Sequence, residues 1–118
     1  MGKRIEEMCR AVTGHGAWHI GELWVADGPH GIRAQEDGAK NNTSHEATCF
    51  PTAGSAACSW NRELIGKMAQ GLAQEAKALG VSVVLGPGIN IKRSPLCGRN
   101  FEYFSEDPFL SGKMAAGY

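Results

Sequence analysis

A long polar loop directly after a short apolar run is the feature of this sequence that most limits its fold. The run is residues 81–85 (VSVVL), and the loop is residues 86–108 (GPGINIKRSPLCGRNFEYFSEDP). The loop carries too many charges to belong to a core, and its three prolines and three glycines fix the backbone too firmly for a linker. An ordered loop after a buried strand is where α/β proteins place binding and catalytic groups.

Ahead of that run the chain contains a shorter strand signal and one long helix signal. Residues 23–26 (LWVA) end at the turn sequence DGPHG (27–31), which predicts a buried strand with a polar loop at its carboxyl end. Residues 61–80 repeat apolar side chains at helical spacing, from Asn61 as the N-cap to a final glycine. Residues 81–85 lack alternation, which predicts a strand covered on both faces.

Four further segments complete the secondary-structure prediction. Residues 3–12 carry an apolar face at helical spacing and predict a short amphipathic helix. Residues 35–46 are polar and predict a surface loop. Residues 47–59 predict a packed segment without a regular helix or strand. Asp107 and Pro108 have the order of an N-cap and a first helical residue, so a last helix is expected to begin there.

Strand, polar loop and helix thus occur twice in the same order, which predicts an α/β fold with two parallel strands and a right-handed crossover. Loops at the carboxyl ends of parallel strands lie at one edge of the sheet and can build one site from distant residues. Asp27 and Arg33 lie on the first loop. They are expected to face Arg93, Arg99 and Glu102 on the second loop.

The overall composition narrows the class of protein. A chain of 118 residues has room for about one domain. Its formal net charge is zero, which favours neither nucleic acid nor an anionic membrane as a partner, and no apolar run approaches the roughly 18 residues of a membrane span. Glu6 and Glu7 interrupt the N-terminus before an apolar signal region forms, so we expect cytoplasmic residence.

The sequence contains no recognisable metal-binding or nucleotide-binding motif, so no cofactor is expected. The cysteines lack a CxxC pair and are predicted to be free thiols packed as small apolar residues. The histidines form no HExxH pattern, and the glycines after the strand form neither GxGxxG nor GxxxxGK(S/T). The cysteines are Cys9, Cys49, Cys58 and Cys97, and the histidines are His15, His19, His30 and His45.

Three side chains of the two loops have the chemistry to bind a sugar, and each also has a simpler explanation. The Asp27 carboxylate can accept hydrogen bonds from sugar hydroxyls, or it can cap the turn that follows it. Arg99 lies between a glycine and an asparagine, which leaves its guanidinium open to a ligand, or it pairs with Glu102. Both interpretations of Arg99 are compatible, because an arginine has five donors. Arg33 is a site residue or a surface charge.

The tryptophans leave two interpretations open. An indole ring can form a platform on which a sugar stacks, and it can equally pack into a core or a site wall. The candidates are Trp18, Trp24 and Trp60.

The segments DGPHGIR (27–33), FPTA (50–53) and the loop at 86–108 resemble the N-terminal domain of glycoside hydrolase family 3, of the bacterial β-glucosidase type. The resemblance implies a partial TIM-type (β/α)8 barrel, with residues 1–118 as the N-terminal part of that domain and its first two strand–helix units. It implies that Asp27 and Arg99 bind hydroxyls of the sugar in the −1 subsite, and that Arg33 is a further site arginine supporting the Asp27 loop.

The resemblance also implies a reaction and what this chain lacks for it. Family members are retaining glycosidases of β-glucosides or oligosaccharides, with one carboxylate as nucleophile and another as acid and base. We expect neither within residues 1–118, and no catalytic residue is assigned to this chain. The Lys-His pair that contacts the sugar is absent as well, and a whole barrel needs roughly 200 to 250 residues. Asn61 stands where the family usually has aspartate, and the connection before residue 27 is shorter than usual.

Two alternatives to a sugar subsite of a glycosidase remain at the level of sequence. One is a non-catalytic module that binds carbohydrate or a partner chain with the same loop face. The other is a truncated gene product without a function of its own. Uncovered apolar surface predicts self-association of the chain. The isolated chain is predicted to be inactive, because hydroxyl contacts without a nucleophile and an acid stabilise the transition state little.

Overall fold

The computed structural model describes residues 23–36 and 43–118. The elements in chain order are β1 (Val25–Asp27), α1 (Ala53–Ala57), α2 (Arg62–Ala78), β2 (Val83–Leu85) and α3 (Pro108–Ala115), with a 3-10 turn at Asn100–Glu102. The helix predicted at residues 3–12 lies outside the described residues, as does part of the loop predicted at residues 35–46.

The two strands are parallel, as predicted. Val25 pairs with Val83 and Asp27 pairs with Leu85, so both strands end at the same edge of the sheet. Within the described residues the sheet has two strands and is not a closed barrel. The predicted α/β class is therefore confirmed at this level.

Helix α2 begins and ends where its local sequence predicts. The Asn61 side chain accepts a hydrogen bond from the backbone N–H of Leu64 at 3.1 Å, which satisfies a donor of the first turn. Gly80, with a φ of +71°, follows the last turn in the left-handed conformation that glycine adopts most readily. Ile65 and Leu72 are buried on the inner face of the helix.

Helix α3 is confirmed by its cap, whereas α1 corrects the prediction of an irregular segment. The Asp107 carboxylate accepts hydrogen bonds from the backbone N–H groups of Phe109 and Leu110, and Pro108 is the first helical residue. The segment at residues 47–59 was predicted to lack regular elements, and this is wrong because it contains α1. A five-residue helix of alanine, glycine and serine has no apolar period for a sequence pattern to detect.

Helix α2 joins two clusters of buried side chains. One cluster packs α1 and α3 against the start of α2, and the other packs the end of α2 against β1. The first comprises Ala53, Ala56, Ala57, Ile65, Phe104 and Met114, and the second comprises Ala26, Ile32, Leu72 and Ala76.

The prediction that residues 81–85 are covered on both faces is wrong for the described chain. Val83 is 40% exposed and Leu85 is 55% exposed, and Trp24 beside β1 is 51% exposed. Parallel strands are usually covered by helices on both sides, and α2 covers one side of this two-stranded sheet. The apolar strand β2 is therefore exposed on the face that no other described residues cover.

The cysteines differ from their predicted packing. Cys49, Cys58 and Cys97 are free thiols, as expected, but all three are exposed rather than packed in a core. They lie on a loop, at the end of α1 and in the loop at 86–108, where the side chains face solvent. Cys9 lies outside the described residues. No helix in residues 23–36 and 43–118 is long and apolar enough to cross a bilayer.

Candidate functional site

An open cleft of about 530 Å³ lies where β1 and β2 end, and we name it the strand-end cleft. Asp27 and Leu85, the last residues of the two strands, both line it. Arg99, Glu102 and Tyr103 of the loop at 86–108 line it as well. The structure thus brings Asp27 together with Arg99 and Glu102, as the order of elements predicts.

The turn after β1 leaves the Asp27 carboxylate open. The backbone N–H of Arg33 donates to the Asp27 carbonyl at 2.9 Å, and Gly31 donates to the Gly28 carbonyl at 3.3 Å. A Cβ at Gly28 would lie 2.0 Å from the Gly31 carbonyl oxygen, so this tight turn requires glycine there. Because the backbone closes the turn, the carboxylate is not needed as a turn cap. It has no hydrogen-bond partner within residues 23–36 and 43–118.

Helix α2 holds the Asp27 turn in place through the segment that precedes α1. The backbone N–H of Phe50 donates to the His30 carbonyl at 2.7 Å. Thr48 donates from its backbone N–H and its hydroxyl to the carboxylate of Glu75 on α2. Sequence reasoning missed Thr48 and Glu75, because the partners are 27 residues apart and belong to no motif.

Direct contacts join the two loops that form the cleft. The rings of His30 and Phe101 lie with their centroids 5.9 Å apart and tilted by 53°. A Cβ at Gly86 would be 3.0 Å from Cβ of Pro29, so glycine allows the two loops to approach here. These contacts fix the loop that carries Asp27 relative to the loop that carries Arg99. The sequence motif contains His30 and Phe101, but nothing in it indicates that they meet.

Arg99 combines the two interpretations that its sequence allows. Its Nε donates to a carboxylate oxygen of Glu102, and its side chain is 72% exposed whereas that of Glu102 is 16% exposed. The hydrogen bond to Glu102 and the negative charge of that carboxylate raise the pKa of Arg99, so the guanidinium stays cationic. Because Nε alone is engaged among the described residues, the terminal nitrogens remain free to donate to a ligand.

The loop at 86–108 is folded tightly upon itself. Gly88 and Tyr103 form a parallel bridge, and a Cβ at Gly88 would lie 2.4 Å from the Glu102 carbonyl oxygen. The Asn100 side chain donates to the Ser94 carbonyl at 2.7 Å. The loop is therefore ordered, as its prolines and glycines predict.

The structure does not bring Arg33 or Arg93 into the strand-end cleft. Arg33 lines a cavity of about 310 Å³ together with Trp24 and His45. Arg93 lines another cavity, of about 630 Å³, together with Trp60. The backbone N–H of Arg33 does support the Asp27 turn, whereas a contact of its side chain with sugar stays a prediction.

The donor groups of the cleft do not resemble a cation site. Of its two carboxylates, Glu102 is already bound to Arg99. In the part of the chain that the structure describes, no three side chains of His, Cys, Asp and Glu lie close enough to hold a metal ion. His15 and His19 lie outside that part.

Sequence comparison identifies the family. Residues 7–118 match the profile of the glycosyl hydrolase family 3 N-terminal domain. The chain belongs to glycosyl hydrolase family 3. Thermostable β-glucosidase B of Acetivibrio thermocellus is 49% identical to it over 125 residues, which cover 97% of this chain and 17% of that protein. An exo-α-(1->6)-L-arabinopyranosidase of Bifidobacterium longum is 44% identical, over 96% of this chain and 16% of that protein.

Solved structures of the family share the fold of this chain. β-Glucosidase 3B from Thermotoga neapolitana, in complex with α-D-glucose, superposes with a TM-score of 0.74 at 43% identity, over 83% of this chain and 14% of that one. The predicted family resemblance is confirmed. The chain spans about a sixth of the length of the curated relatives it matches. The substrate-binding roles of Asp27, Arg33 and Arg99 and the cytoplasmic residence stay predictions.

Proposed function

We propose that this chain supplies one wall of the −1 sugar subsite of a retaining β-glucosidase that hydrolyses O-glycosyl bonds. The observation that carries the proposal is the open Asp27 carboxylate and the free end of the Arg99 guanidinium in one cleft. A carboxylate accepts hydrogen bonds from two hydroxyls, and a guanidinium donates to hydroxyl oxygens. Together they can bind hydroxyl groups of a pyranose ring, because each hydroxyl both donates and accepts hydrogen bonds.

The open faces of the sheet support a larger fold. We infer that β1 with α2 and β2 with α3 are the first two units of a (β/α)8 barrel, in which sites lie at the carboxyl ends of the strands. The exposure of Val83 and Leu85 supports this inference, since an inner barrel strand with these side chains would be covered. The strand-end cleft has the position that such a barrel gives to its active site.

We assign binding rather than covalent chemistry to this chain. A retaining glycosidase needs a nucleophilic carboxylate and a second carboxyl group about 5 to 5.5 Å from it. Glu102 is bound to Arg99, so we assign it to positioning that guanidinium. Asp27 and Arg99 would hold hydroxyls whose hydrogen bonds strengthen in the transition state, and such differential binding accelerates the reaction. The chain alone is therefore expected not to hydrolyse aryl β-glucosides.

A chimera tests the proposal with full catalytic machinery present. Residues 7–118 replace the aligned segment of the Acetivibrio thermocellus β-glucosidase B, and hydrolysis of a chromogenic β-glucoside is measured. We expect an active chimera in which Asp27→Asn or Arg99→Lys lowers kcat/KM by at least about 100-fold, because each variant weakens contacts made in the transition state.

Two matched substitutions serve as controls for the chimera. Asp107→Asn should leave kcat/KM unchanged, because asparagine also caps a helix and residue 107 lies outside the strand-end cleft. Arg62→Lys should do the same at the exposed start of α2. An inactive chimera, or Asp27 and Arg99 variants that match their controls, would refute the proposed subsite.

A non-catalytic carbohydrate-binding module is the second candidate, and the openness of both Asp27 and Arg99 favours it. Its test is calorimetric titration of the 118-residue chain with glucose and cellobiose. Heat of binding that disappears in Asp27→Asn would favour the module. Absence of heat together with an active chimera would favour the enzyme subsite.

A further inference from the structure

A second cleft, of about 630 Å³, lies between α1 and the loop at 86–108. It shares no lining residue with the strand-end cleft, although the same loop contributes to both. Arg99 faces the strand-end cleft and the next residue, Asn100, lines the second one. We name the second cavity the Trp60 cleft.

Trp60 is held in an unusual backbone conformation and is open to solvent. Its φ is +53°, and its backbone N–H donates to the Ala57 carbonyl at 3.1 Å, just after the end of α1. Helix ends of this kind normally carry glycine or asparagine, because a bulky side chain is strained in the left-handed region. The indole is nevertheless 74% exposed, so little packing offsets the strain. A strained, exposed aromatic residue in a cleft points to a role in binding.

Charged side chains of the Trp60 cleft have no partner in the described residues. Lys92, Arg93 and Glu106 all line it, and none of their side chains makes an ion pair or hydrogen bond within residues 23–36 and 43–118. Two cations and one carboxylate offer both donors and acceptors with a small net charge. Phe104 and Leu110 add apolar surface to the wall.

This combination favours one class of ligand. A pyranose ring has an apolar C–H face that stacks on an indole and a rim of hydroxyls that bonds to charged side chains. We propose that the Trp60 cleft is a second carbohydrate-binding site, in which one pyranose ring of a β-linked gluco-oligosaccharide stacks on Trp60. It takes the same class of ligand as the proposed subsite but none of the same residues, so either proposal can fail without the other.

Cellotriose binding by the 118-residue chain tests the proposal, followed by saturation-transfer difference NMR. We expect Trp60→Ala to weaken binding at least tenfold and Trp60→Phe to restore part of it. Trp24→Ala is the matched control, since Trp24 is also exposed but lies outside the cleft, and it should bind as the wild type does. Asp27→Asn should keep the Trp60-dependent binding.

Trp60→Gly separates binding from packing. Glycine adopts a positive φ without strain, so this variant should lose cellotriose binding while its thermal midpoint stays equal to that of the wild type or rises. The proposal is overturned if the wild-type chain does not bind cellotriose, if Trp60→Ala binds normally, or if Asp27→Asn removes all binding. It is also overturned if Trp60→Gly and Trp60→Phe both lower the thermal midpoint, because Trp60 would then serve packing.

Discussion

At the scale of single residues, Asp27 and Arg99 are open to a ligand for different reasons. The turn after β1 is closed by backbone hydrogen bonds, so the Asp27 carboxylate accepts no hydrogen bond from the described residues. Arg99 engages Nε with Glu102 and keeps its terminal nitrogens exposed. Glu102 therefore aims the guanidinium without blocking it, and its contribution can be measured separately.

Glu102→Gln in the chimera should lower kcat/KM about tenfold. The substitution replaces a charge-assisted hydrogen bond to Arg99 by a neutral one, which is roughly half as strong, so the guanidinium is aimed less firmly. Steady-state hydrolysis of the chromogenic β-glucoside provides the measurement, with the exposed Glu63→Gln on α2 as the matched control. If both glutamine variants hydrolyse equally well, Glu102 does not position Arg99.

Tyr118→Phe should stabilise the chain and reduce its sensitivity to alkali. The Tyr118 hydroxyl is buried without a hydrogen-bond partner among the described residues, and burial raises the pKa of this tyrosine above 10.0. The stability that depends on the neutral form is complete below pH 10 and is lost as the pH rises above it, because the unfolded chain ionises first. Removal of the hydroxyl should add about 1 kcal/mol at neutral pH.

Thermal melts followed by circular dichroism, at neutral pH and above pH 10, measure this effect. The midpoint of the wild type should fall more steeply with pH than that of the phenylalanine variant. Equal slopes for the two proteins would show that Tyr118 does not control the alkaline response.

At the scale of elements, the loop at 86–108 is the part on which both clefts depend. It closes upon itself at Gly88, where the carbonyl of Glu102 and the ring of Tyr103 leave no room for a side chain. Arg99 of this loop lines the strand-end cleft together with Asp27, and Arg93 of the same loop lines the Trp60 cleft. A local change in the loop should therefore affect both sites together.

Gly88→Ala should destabilise this loop by about 1 to 3 kcal/mol, because the new Cβ would lie 2.4 Å from the Glu102 carbonyl oxygen. Gly98→Ala is the matched control in the same loop, since a Cβ there meets nothing within 4 Å. Amide hydrogen exchange should accelerate in the loop of the Gly88 variant and remain near the wild-type rate in the other. Similar protection in both variants would contradict the tight packing at Gly88.

At the scale of the whole molecule, apolar surface remains uncovered on the sheet and at the helix ends. Exposed large side chains include Leu96 at 93%, Phe109 at 72% and Leu85 at 55%. A chain of this size buries a modest share of its surface, and open strand edges offer further pairing. Marginal stability and self-association are the expected consequences.

The 118-residue chain should therefore unfold in a broad thermal transition and associate as its concentration rises. Differential scanning calorimetry measures the breadth of this transition. Light scattering reports the association. A sharp two-state transition from a strictly monomeric chain would show that the described surfaces need no further cover.

The sequence by itself determined the elements whose ends are local. Asn61 and the Asp107-Pro108 pair predict helix starts because a cap involves neighbours within three residues, and the order of elements predicts the parallel pair and the meeting of Asp27 with Arg99. These features depend on short-range hydrogen bonds and on chain direction, both of which a sequence pattern records.

Tertiary structure alone decided the remaining features, and these include two corrections. Helix α1 forms where neighbouring elements cover its small residues, and β2 stays open because the described chain gives it cover on one side. The contact of Thr48 with Glu75 and the separation of Arg33 from the strand-end cleft also depend on residues distant in sequence. Burial and side-chain direction are set by which distant surfaces meet, and no local pattern of residues contains that information.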